Sequence, residues 1–129
     1  MQPRYDYRYD LFEEEEYQRN KPVKVRPVLH LNLKQKWFDM IASGEKKEEY
    51  REIKPFWNRV FGAYITIRGK RYHPSDVDIM FSNGYAKNRR QMLVECMYMR
   101  VGTGRTDWGA DPGEQYHTLV LGEIKSKNF

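Results

Sequence analysis

Apolar and polar positions alternate clearly from Val28 onward. Over Val28–Leu33, Leu29, Leu31 and Leu33 share one face and Val28, His30 and Asn32 the other, the period of two expected of a half-buried strand. The period then lengthens. Trp37, Phe38, Met40 and Ile41 recur at helical spacing and predict a helix from about Lys34 to Ser43. Gly44, just beyond, suits the left-handed position that closes a last helical turn, and the chain from there to Arg51 is expected to be extended. Pro55 is placed as the first residue of a short helix running to Phe61 and carrying Phe56, Trp57, Val60 and Phe61.

Strand patterns return in Tyr64–Arg68, in the Val77, Ile79 and Phe81 segment, in Met92–Val101 and in Tyr116–Ile124. The breaks between them are Gly69-Lys70-Arg71, Ser82-Asn83-Gly84 with a basic loop to Arg90, Gly102-Thr103-Gly104, and Gly109 to Gly113. In Met92–Val101 the alternation sets Leu93, Glu95, Met97 and Met99 against Val94, Cys96 and Tyr98. Glu95 thus interrupts an apolar face, where a carboxylate must be paired, protonated or at a pocket edge. An exposed strand end, pairing with an arginine and a pocket role all stay open. About five to six short strands with flanking short helices predict an α+β fold, a small mixed β-barrel, closed or half-closed.

The chain before Val28 reads differently. Tyr5, Tyr7 and Tyr9 alternate with charges, and Asp10 with Glu13 forms a capping-box pattern for a short acidic helix from Leu11 to about Arg19. A basic linker, Lys21 to Pro27, follows. The expected organisation is an extension over 1–27 and one domain over 28–129.

Charge sharpens that division. The 129 residues carry a net +5, yet residues 1–20 hold three arginines against six carboxylates, net −3, so the remainder carries +8. A basic body points to polyanionic partners. Lys46, Arg51, Lys87, Arg89 and Arg90 offer charge to phosphates, Tyr85 and Trp108 offer rings for stacking, and Asn83 offers an amide to a base edge. Trp57, on an amphipathic helix, is expected in the core. Arg51 shares a face with Glu49 on an extended chain, so an internal ion pair competes with a phosphate contact. No apolar run approaches the ~20 residues that cross a bilayer, and with the single Cys96 a reducing, cytoplasmic setting is expected. His30, His73 and His117 are scattered and show no zinc spacing, and Gly102-Thr103-Gly104-Arg105 is not a nucleotide fingerprint, so no metal or cofactor is expected.

Gly44, Lys46, Glu49 and Arg51 spell Gly-x-Lys-x-x-Glu-x-Arg, directly after a strand–helix unit. In this the chain, over about Val28 to Ile124, resembles the ASCH domain family, itself similar to the PUA RNA-binding fold. The resemblance implies a PUA-like barrel with a cleft in which the motif faces RNA or a nucleotide-like ligand. A bacterial subgroup of the family hydrolyses acetylcytidine with a Lys, a Thr three residues later and a strand Glu. Lys46 matches the first and Glu95 the last, while Glu49 stands where the Thr would be. The hydroxyl nucleophile is therefore missing; a catalytic version would need Glu49 as general base on water and Lys46 at the oxyanion.

Three readings follow. In the first, RNA or a nucleotide binds in a cleft lined by Lys46, Glu49, Arg51 and Glu95, with Asn83, Tyr85, Lys87, Arg89 and Arg90 at the rim and Trp108 as a further contact. The second is a small hydrolase acting on a modified nucleoside, or an RNase. The third is an interaction protein whose acidic residues 10–19 recruit a partner or shield the basic cleft.

Overall fold

The computed structural model describes residues 25–129, so the acidic extension and most of the linker lie outside the described residues. The chain joins the body slightly before the expected boundary. Pro27 O accepts a hydrogen bond from Asp78 N at 3.0 Å, and Arg26 reaches Asp78 Oδ1 at 3.1 Å.

The first strand, β1, is Val28–Leu33, and helix α1 is Gln35–Ala42. The extended stretch after Gly44 becomes a strand, β2 (Glu48–Glu52), followed by a single-turn helix, α2 (Pro55–Asn58). A small hairpin of β3 (Ile65–Ile67) and β4 (Lys70–Tyr72) comes next. Then β5 (Asp78–Asn83), β6 (Gln91–Thr103) and β7 (Gln115–Lys127) complete the fold. The hairpin turns at Arg68 (φ 50°) and Gly69 (φ 78°), two left-handed residues matching the strand twist, so Lys70 and Arg71 belong to a strand and not to the turn.

The main sheet has the order β1-β5-β6-β7-β2, with β1 parallel to β5 and the other pairs antiparallel. It is an α+β architecture dominated by strands. Both ends of that order, β1 and β2, are edges, and among the described residues no ladder joins them. The sheet is therefore not closed into a barrel. One side chain spans the gap: Arg51 Nη2 on β2 donates to Asn32 O on β1 at 2.9 Å.

One face of the sheet holds the core. Leu31, Leu33, Ile79, Phe81, Met92, Val94, Cys96, Leu119 and Leu121 meet Phe38 and Ile41 of α1, all buried. Burying each such large side chain contributes about 1.5–3 kcal/mol, which explains why the leucine stripe of β1 and the helical stripe of α1 were so readable. In contrast α2 buries nothing within Pro55–Asn58; Phe56 is 63% exposed and Trp57 only partly covered, while Phe61 beyond it is buried.

On β6 the expected facing is reversed. Met92, Val94 and Cys96 are the core residues, so Leu93 and Glu95 point away. The register against β7 explains the rest: Cys96 pairs with Leu121 and Tyr98 with Val120, leaving Met97 as an extra, bulged residue. A bulge shifts the alternation by one, so Cys96 and Met99 both pack inward although their numbers differ in parity. No helix among the described residues is long and apolar enough to cross a membrane.

Candidate functional site

The end of α1 sets up the motif. Gly44 takes φ +83°, its N–H bonds Ile41 O at 3.0 Å, and Lys46 N–H returns to Met40 O at 2.9 Å. This closure reverses the chain and drops the Lys46 side chain into the interior, 1% exposed. Its ammonium donates to Trp108 O at 2.5 Å, lies 3.3 Å from Glu49 Oε1, and sits 4.7 Å from the centroid of the Tyr50 ring and 5.3 Å from that of Trp37. Burial lowers the Lys46 pKa below its ordinary value, and the neighbouring Glu49 opposes that shift without cancelling it.

Strand β2 then carries the remaining motif residues. Glu49 pairs with Leu119 and Arg51 with His117, so both share the inner face of the sheet. Glu49, 6% exposed, holds Lys46 on Oε1 and Arg51 on Oε2, the latter at 2.8 Å. Arg51 is thus gripped by Glu49 and by Asn32 O, and its guanidinium lies 4.9 Å from the Trp57 centroid. Trp57 in turn stacks on Phe61 at 5.7 Å. Arg51 makes the internal ion pair, and with 16% of its side chain exposed it also lines the neighbouring cavities.

Glu95 does not join this cluster. It pairs with Asp78 on the outer face, where Asp78 is held by Arg26 and Lys125, and its carboxylate lies against Gly122. The catalytic grouping of Lys46, Glu49 and Glu95 is therefore not assembled, because the inner positions of β6 belong to Val94 and Cys96. Lys46 does not border the cavity that Glu49 lines, its ammonium lying behind Glu49 and Trp108; the residue borders a separate hollow with Ser43, Gly44 and Lys47.

Two cavities meet at the open β1/β2 edge, sharing Asn32 and Arg51. The larger, about 710 Å³, runs past Lys34, Glu49, Glu52, Lys54, Trp108, Asp111 and Glu114. Three cations, Lys34, Arg51 and Lys54, face four carboxylates there, so the larger cavity is not an anion site. The smaller, about 540 Å³, is lined by Arg51, Arg89, Phe56, Trp57, Tyr85 and Ser82 among others, and includes no carboxylate. A third hollow, beside Asn83, Gly84 and Tyr85, shares Asn32 with both.

The rim residues divide accordingly. Asn83, Tyr85 and Arg89 border these hollows. Arg90 is spent elsewhere, bonded to Asp39 at 2.8 Å and lying over the rings of Phe38 and Phe129. Lys87 is exposed and lines neither cavity. Trp108 is 9% exposed, with the Arg105 guanidinium 4.0 Å from its ring centroid, so it contributes a carbonyl to Lys46 and no free stacking face. Tyr50, which was not anticipated, ties the site together. Its hydroxyl donates to Glu48 at 2.7 Å and accepts from Arg105 N at 2.9 Å, and burial pushes its pKa up to about 12. Asn32 was equally unannounced, because a polar residue on the outer positions of a strand carries no signal until a second strand edge approaches it.

Behind Arg51, His117 is buried with Nε2 on Asn58 Oδ1 at 2.7 Å and Nδ1 without a partner among the described residues. Burial lowers its pKa below the ordinary value. Searches against protein-family models, curated proteins and solved structures found no match for this chain.

Proposed function

We propose that this protein binds a nucleotide or single-stranded RNA at the open β1/β2 edge, with the phosphate in the smaller cavity. One observation carries the reading: Arg51 and Arg89 line a hollow that holds no carboxylate, while the neighbouring cleft is balanced in sign. Arg89 has no ion-pair partner among the described residues, and Glu49 is a single carboxylate shared between Lys46 and Arg51, so positive charge is left over beside this hollow, where an arginine fork suits phosphate oxygens. Glu49 and Asn32 orient Arg51 before any ligand arrives, which lowers the ordering cost of binding. The Gly44, Lys46, Glu49 and Arg51 spacing keeps the ASCH and PUA-like barrel reading as part of this proposal. In it Lys46 and Glu49 hold Arg51 in place, and Arg51 is the motif residue that meets the ligand.

The test is a salt titration of binding to a fluorescent single-stranded oligoribonucleotide. Affinity should fall linearly on a log–log plot as phosphate contacts release counterions, and Arg89→Ala should flatten the slope by roughly one unit. Salt-independent binding, or an unchanged slope in Arg89→Ala, would remove the reading.

A hydrolase acting on an acylated or otherwise modified nucleoside, or an RNase, is the second reading. What favours it is Glu49 on the wall of the larger cavity, with the buried Lys46, its pKa lowered by burial, directly behind the carboxylate. It requires turnover of acetylcytidine or labelled RNA that Glu49→Gln abolishes.

A further inference from the structure

Two large aromatic side chains stand in solvent beside the same cavity. Tyr85 is 90% exposed and Phe56 is 63% exposed, on separate elements that both border the hollow lined by Arg51 and Arg89. An isolated exposed aromatic needs no explanation, but two at the mouth of one cationic cavity form a built surface.

Their supports are firm. Tyr85 follows Gly84, whose positive φ of +80° turns the chain and whose N–H donates to Asn32 Oδ1 at 2.9 Å. The loop is closed behind Tyr85 by Asn83 N–H on Arg90 O at 3.0 Å and by Arg89 N–H on Ala86 O at 3.1 Å. Phe56 rests edge-on against Trp57 with centroids 4.8 Å apart, and Trp57 is itself fixed between Phe61 and the Arg51 guanidinium. Both rings are thus presented by tied backbone or packed neighbours. Among the described residues Tyr85 makes no ring contact of its own, so a π-face is open to a ligand.

From this arrangement we infer that the cavity seats one unpaired nucleobase, stacked on Tyr85 and covered by Phe56, with the adjoining phosphate on Arg51 and Arg89. The inference rests on the phosphate-binding reading above and adds a base to it. Stacking on an aromatic tolerates every base, so the site selects single strands over duplexes and reads little sequence. Ribose or deoxyribose serves equally, because the shared chemistry is an unpaired base on a phosphate chain. Asn32 lines the cavity, its Oδ1 is taken by Gly84 N–H, and its side-chain nitrogen, without a partner among the described residues, is left to meet a base edge.

The experiment is fluorescence anisotropy on the full chain with octauridylate, octadeoxythymidylate, a duplex of the same length, an abasic octamer and an acidic peptide of matched charge. Tyr85→Ala and Phe56→Ala should each weaken single-strand binding roughly five- to a hundred-fold, the range that stacking supplies. Tyr85→Phe should restore it. The abasic strand should bind the wild type with the same loss, and Tyr85→Ala should cost that strand nothing further. At 90% exposure Tyr85 takes no part in the core, so Tyr85→Ala leaves the fold intact, and circular dichroism checks this. Unchanged affinity in both alanine variants, with the salt slope retained, overturns the base seat and leaves the phosphate reading standing. Duplex or acidic peptide binding as tight as the single strand also overturns it. No binding to any oligonucleotide overturns both.

Discussion

Glu49→Gln is the sharpest perturbation available, because one carboxylate bridges two cations, the buried Lys46 and the partly buried Arg51. Lys46 is 3.3 Å from one oxygen and Arg51 2.8 Å from the other, with side-chain exposures of 1%, 7% and 16% for Lys46, Glu49 and Arg51. The amide preserves shape and removes the charge. Breaking a buried pair by deleting one partner costs about 3–5 kcal/mol, because the surviving charge is left in a poorly solvating site. Arg51 keeps Asn32 O and some water, so the expected loss lies near the lower end, about 3 kcal/mol. For a domain of this size that corresponds to a fall in Tm of roughly 12–24 °C. The assay is urea unfolding at pH 7 with a double-mutant cycle on Lys46→Met. Once the ammonium is gone the orphaned charge disappears, so the double variant should recover at least about 1 kcal/mol relative to the sum of the single losses. A Glu49→Gln protein within about 0.5 kcal/mol of wild type, or strictly additive losses, would refute the claim that this cluster is electrostatically coupled.

Three further outcomes follow. Lys46 has a folded pKa below its unfolded one, so the unfolded chain binds the proton more tightly and stability should rise with pH from the folded pKa up to about 10.5; denaturant titrations between pH 7 and 10 should show this rise, and Lys46→Met should lose it, with Tyr50 opposing only above about pH 10. His117 is likewise lowered, so stability should fall as pH drops below its ordinary value of about 6.5 towards the folded pKa, and His117→Gln should flatten that acid limb in thermal melts from pH 7 to 5. A Cβ on Gly104 would lie 2.5 Å from the Tyr50 ring and 2.7 Å from the Ala110 Cβ, both packed, so Gly104→Ala should cost about 1–3 kcal/mol in chemical denaturation; a loss below about 0.5 kcal/mol would show that the loop yields.

The placement of Lys46 changes what its motif means. A lysine and a glutamate at this spacing read in sequence as ligand contacts, yet the ammonium is sealed behind Trp108 O and the carboxylate is occupied on both oxygens. The pair works as a clamp on Arg51, and Arg51 is the motif residue that reaches the groove. The same arrangement substitutes for a missing ladder, since the Arg51 side chain is what joins the two sheet edges.

Local patterning alone determined the strand Val28–Leu33, the helix after it, the Gly44 turn and the inward faces of β5 and β7. Each of these is a repeat whose period matches its element, and burial of its apolar stripe reinforces local preference. It could not determine the facing of Glu95, because a bulge is a property of two paired strands: the extra residue at Met97 exists only relative to Leu121 and Val120. It could not rank the cations either. Arg51, Arg89 and Arg90 look alike along the chain. Only the fold spends Arg90 on Asp39, orients Arg51 across an open sheet edge and sets Arg89 on the same cavity as Tyr85. Charge neutralisation depends on which side chains meet at a few ångströms, and residues such as Asn32 and Arg51, 19 positions apart, meet through the tertiary structure.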